Sequence, residues 1–126
     1  MMGVPSGVQI HLATAPVDFR KAIDGLSGVV CNVLRSDPAS GHLFVFHCKN
    51  RRAMKLLYWD HGGFVVVHKR LAQGRFRLPD LGAGVAQVRM TSAELAALFE
   101  GIDLSRARRL PRWNPPTGLV DLHPSR

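Results

Sequence analysis

Residues Leu43–Arg70 read LFVFHCKNRRAMKLLYWDHGGFVVVHKR, and the fold follows from how this stretch divides. Three apolar runs stand out: Leu43–Cys48, Met54–Asp60 and Gly63–Arg70. They are rich in Val, Leu, Phe, Tyr and Trp, which suit a pleated surface. Asp60-His61-Gly62-Gly63 has the composition of a tight turn, so the second and third runs form a hairpin. The connection Lys49–Ala53 is short enough for another, and the three runs make an antiparallel meander. A turn at His61-Gly62 sets Lys55 opposite His68 and Ala53 opposite Arg70.

Outward toward the N-terminus, Val8–Ala13 alternates loosely and reads as a short strand. Asp18 stands where a helix N-cap carboxylate would satisfy free amides. From there Phe19, Ile23, Leu26, Val30 and Val33 recur at helical spacing. Gly25 and Gly28 each cost such a helix about 1 kcal/mol relative to Ala, which is expected where the helix lies close against a sheet. Asp37-Pro38-Ala39-Ser40-Gly41 is a turn. On the other side, Val85–Met90 reads as a strand. Thr91-Ser92-Ala93-Glu94 matches a capping box opening a short helix with Leu95, Leu98 and Phe99 on one face. Gly101 ends it. The expectation is an α+β domain over residues 1–104: an antiparallel sheet of about five strands, a long helix after the first and a short helix near the end. Residues 105–126 hold Pro111, Pro115, Pro116 and Pro124 among arginines and read as an extended or disordered basic tail.

The 126 residues suit one core, and the formal net charge is +8. That charge is unevenly placed. Residues 49–77 carry eight basic side chains (Lys49, Arg51, Arg52, Lys55, Lys69, Arg70, Arg75 and Arg77) against the single acid Asp60. Hairpin geometry gathers them at one end of the meander and leaves the Asp60–Gly63 end nearly neutral. Phe76, between two of these arginines, is better read as a core plug than as a base-stacking platform. The tail adds Arg106, Arg108, Arg109 and Arg112, with Trp113 beside them. Clustered cations of this kind meet polyanions, and nucleic acid is the default partner. No apolar run is long enough to span a bilayer, and no secretory signal is visible. Cys31 and Cys48, without CxxC spacing, fit a reducing cytoplasm with buried thiols.

Catalytic chemistry finds little support. Two-metal nucleotidyl transfer needs clustered carboxylates. Asp18, Asp37 and Asp60 have local turn or cap duties, and Asp24 reads as a solvated helix residue. Tyr58, the one tyrosine, lies between Leu57 and Trp59 as a core or interface aromatic. His47 and Cys48 are neighbours on a strand and face opposite ways, so they read as a surface imidazole and a buried thiol rather than zinc ligands. No phosphate loop is present. The reading is a protein that is not an enzyme and has no cofactor or metal.

Four blocks together carry a family resemblance: VDFRKAIDGLSGVV (Val17–Val30), SGHLFVF (Ser40–Phe46), KLLYWDHGGFVVVHKRLAQGRFRLP (Lys55–Pro79) and MTSAELAALFEGID (Met90–Asp103). In order and spacing they resemble the TnpB accessory protein, the second open reading frame, of insertion sequence sixty-six elements. That family is distinct from the RNA-guided nuclease sharing the name. Val65–His68 departs from it, standing where the family usually has Trp and another aromatic. The resemblance implies a bacterial mobile-element protein that assists transposition beside a separate transposase, and it supplies no catalytic mechanism. Two functions then compete. In one, the basic sheet end docks on DNA phosphates. In the other, the protein is an adaptor that binds the transposase or self-assembles with little DNA contact, using acids such as Glu94, Glu100 and Asp103.

Overall fold

The computed structural model describes residues 4–105, so the tail expected at 105–126 lies, from residue 106 onward, outside the described residues. The elements run β1 (Ile10–Ala13), α1 (Ile23–Asn32), β2 (Leu43–His47), β3 (Ala53–Asp60), β4 (Gly63–Arg70), β5 (Gln87–Met90) and α2 (Ser92–Phe99). They form an α+β fold around one five-stranded sheet of order β4-β3-β2-β1-β5.

The meander has the register expected of it: Ala53 pairs with Arg70, Lys55 with His68 and Asp60 with Gly63. At its turn His61 and Gly62 have φ of 42° and 85°. Two successive positive values make the type I′ turn whose twist matches the strands on either side. The sheet is mixed rather than antiparallel throughout, because β1 and β2 are parallel, with Ile10 beside Leu43 and Leu12 beside Val45. A strand, a helix and a returning strand make a crossover unit, and parallel neighbours are what such a connection allows.

Both faces of the sheet are covered. On one, Phe44, Phe46 and Leu57 pack with Leu26, Val30 and Leu34 of α1 and the turn after it. On the other, Leu12, Val45, Met54 and Leu56 pack with Leu95 and Leu98 of α2, and with Phe76, Leu78 and Leu104 from the flanking segments. Central strand β2 is buried at every residue, which explains its uninterrupted apolar sequence. Phe76 is a core plug, as expected, and Tyr58 packs half-buried against the α2-side cluster. The capping box is complete: Glu94 N–H donates to Thr91 Oγ1 and Thr91 N–H to Glu94 Oε1, at 3.0 and 2.8 Å.

The first helix departs from expectation. It starts at Ile23 behind Ala22, with no side-chain cap. Asp18 closes its own turn instead, accepting the Arg20 N–H at 2.9 Å and pairing with the Arg20 guanidinium at 2.6 Å. Those bonds hold its carboxyl down at about 2. Ile23 and Val33 stay exposed, and Leu34 takes the buried position beyond the helix end. The glycines do not mark a close sheet: a Cβ on Gly25 would meet the Lys21 side chain at 2.9 Å, and one on Gly28 would meet nothing within 4 Å. Cys31 is exposed and Cys48 half-exposed, so neither thiol is buried as expected.

Candidate nucleic-acid interface

The basic end of the meander is assembled by main-chain bonds. The β2–β3 loop turns on Arg51 N–H to Cys48 O, 2.9 Å, while Asn50 Oδ1 accepts the Arg52 N–H at 3.0 Å. The segment leaving β4 then docks on this loop. Leu71 N–H donates to Arg52 O at 2.9 Å, and Phe76 N–H to Arg51 O at 2.7 Å. With Phe76 buried in the core, Arg75 and Arg77 are held on either side of an anchored residue, and both are exposed. Lys49, Arg51, Arg52 and Arg70 are exposed as well. Asp18 pairs with Arg20 and Asp60 lies 3.7 Å from the His61 ring, and none of these six cations has an ion-pair partner among the described residues.

Arg51 sits in the left-handed region at φ 59°, where an L side chain costs about 1–2 kcal/mol and glycine nothing comparable. An arginine in that conformation at a loop tip projects a cation from the sheet end at the expense of stability.

Two of the eight residues expected at the interface are engaged elsewhere. Lys55 is 7% exposed, its Nζ donating to Phe19 O at 3.0 Å and Lys21 O at 2.7 Å and lying 4.9 Å from the Phe19 ring centroid. It ties the turn before α1 to the sheet and is withdrawn from any phosphate. Lys69 is exposed, but its ammonium donates to Phe99 O at the end of α2, where a cation suits the helix dipole. Arg106, Arg108, Arg109, Arg112 and Trp113 lie outside the described residues.

His68, which sequence reasoning passed over, is exposed on this end and meets the Phe19 ring edge-on at 5.7 Å. Partial burial, then Lys55 and Arg70, lower its pKa. Its place opposite Lys55 was the available signal. His47 is buried rather than on the surface; its Nε2 lies 3.2 Å from Thr14 O and its Nδ1 3.4 Å from Cys48 O. Burial lowers its pKa against the pull of those carbonyls.

The acids of the C-terminal segment have local work. Asp80 accepts the Gly82 N–H, Glu94 completes the α2 cap, and Asp103 accepts the Ser105 N–H. Among the described residues no three His, Cys, Asp or Glu side chains gather as a metal would need, and no helix is long and apolar enough to cross a membrane.

Fold and site together define a small α+β protein with a constructed cationic sheet end. Residues 8–109 match the family described as IS66 Orf2 like protein. The chain belongs to this family of transposon-associated accessory proteins. Two relatives come from Sinorhizobium fredii (strain NBRC 101917 / NGR234). The uncharacterized protein y4jC is 36% identical over 115 residues, 91% of this chain and 97% of its own length. The uncharacterized protein y4hO is 32% identical over 114 residues, 89% of this chain and 96% of its own. No solved structure matches the chain.

Proposed function

We propose that this accessory protein is non-catalytic and assists transposition by docking on DNA phosphates, working beside the element's transposase. Lys49, Arg51, Arg52, Arg70, Arg75 and Arg77 make the contact surface. The observation that carries this reading is the locked juxtaposition of loop 48–52 with segment 71–77, which holds exposed cations without ion pairs on one rigid edge. A backbone already fixed need not be ordered when its cations meet phosphates, and neutralising phosphates releases condensed counterions. Such contacts position a protein on a duplex without reading bases.

The test is fluorescence anisotropy of the full chain with element-end duplex, scrambled duplex and single strand over a salt series. Affinity should fall steeply with salt, with a log–log slope near −0.9 per phosphate neutralised. Absence of binding to all three at low salt would remove the reading and leave the adaptor role.

A further inference from the structure

We propose that two copies of this chain pair through their β4 edges, antiparallel and centred on Val66, making one continuous sheet. The inference stands apart from the DNA reading. Among the described residues β4 is an outer strand, its ladder bonds made to β3 alone. The sheet's other outer strand, β5, has four residues against eight in β4. A long edge with open main-chain groups is a template for another strand unless charge, proline or a bulge blunts it. Phe64–Val67 has none of these, and Val67 is 36% exposed.

The register follows from face and charge. A two-fold axis perpendicular to the sheet requires opposed residues to share a face, so each pairs with one of its own parity. Centring on Val66 sets Val66 against its copy, Val65 against Val67 and Phe64 against His68. Apolar and aromatic cross-strand pairs of this kind stabilise a sheet. The same register keeps the two basic ends apart. Lys69 of one copy then faces Gly63 of the other, and beyond that glycine, on the same face, lies the partner's Asp60. Two strand spacings put them about 10 Å apart, so opposite charges face across the seam while Lys69 keeps its bond to Phe99 O. Moving the centre to His68 would instead set the two Lys69 diagonally across the seam and draw the two Arg70 to within about four residues of each other. With the centre at Val66, one basic end stands at each end of the joined sheet, the two Arg70 about 26 Å apart along β4.

Sedimentation equilibrium of the full chain over a range of concentrations should show reversible association to twice 13.9 kDa. Val67→Lys should weaken it at least tenfold, with circular dichroism confirming the fold. The register is tested by cross-linking in a background lacking Cys31 and Cys48. Antiparallel partners have Cα atoms about 4.5–5.5 Å apart, inside the roughly 4.4–6.8 Å a disulfide spans. Val66→Cys should therefore cross-link on mild oxidation, and His68→Cys, several residues from its copy, should not. A 13.9 kDa species at every concentration would overturn the proposal, as expected if residues 106–126 of the same chain cover the edge. A dimer indifferent to Val67→Lys, or equal cross-linking at both positions, would overturn it too.

Discussion

β3 carries a hairpin turn at each end, and the two turns differ in what they serve. At the Asp60–Gly63 end, His61 and Gly62 satisfy the backbone demands of a type I′ turn, and Asp60 lies 3.7 Å from the His61 ring. At the other end the loop Cys48–Arg52 also needs a left-handed residue, and that residue is Arg51 at φ 59°. The first turn joins strands. The second joins strands, receives the Leu71 and Phe76 amides, and holds cations in the open. Between the two ends lies Lys55, a cation of the same run turned inward to secure two carbonyls. Position in the sheet, more than residue type, decides which cation is free for a partner.

The largest effect expected of this contrast is on binding. Converting Arg51, Arg52 and Arg75 together to Glu should lower DNA affinity on the order of 100-fold and flatten the salt slope by about 3, for every DNA sequence alike. Urea unfolding should move by less than about 1 kcal/mol, since exposed positions carry little stability. Unchanged affinity would break the assignment of this end. Lys55→Met should do the reverse. Leaving Phe19 O and Lys21 O without their buried donor should cost about 1–3 kcal/mol in urea unfolding. The folded variant should bind DNA within about threefold of the parent. A large loss of affinity would return Lys55 to the interface.

The hairpin register was legible in advance because turn chemistry and strand length are local signals. Asp60–Gly63 permits one tight turn, and period-two pairing then fixes every partner back to Ala53. Lys55 was misplaced because its charge was counted before its surroundings. It stands between Met54 and Leu56 in a run buried on both faces, and that pattern marks it as inward. The parallel β1–β2 pair was also readable, since a strand, a helix and another strand form a crossover unit. The start of α1 was less so: Asp18 bonds its neighbour Arg20 in preference to a helix amide, and sequence spacing does not separate the two. The docking of segment 71–77 on the Arg51 and Arg52 carbonyls has no local signal, because it depends on where buried Phe76 is anchored.

The smallest expected effect separates the two turns most directly, because each has one non-glycine residue with positive φ. Arg51→Gly removes a left-handed side chain that costs about 1–2 kcal/mol, less the greater freedom of glycine in the unfolded chain, for a gain of up to about 1 kcal/mol. It should simultaneously lower the DNA salt slope by about 1, the share of a single neutralised phosphate. His61→Asn, giving the sequence that type I′ turns prefer, should also stabilise, by a few tenths of a kcal/mol to about 1. DNA affinity should be unaffected there. If both variants gain stability and only Arg51→Gly loses affinity, the strain at Arg51 serves contact with DNA. If both leave affinity unchanged, it serves only the turn, and the cationic end must be assigned through its remaining arginines.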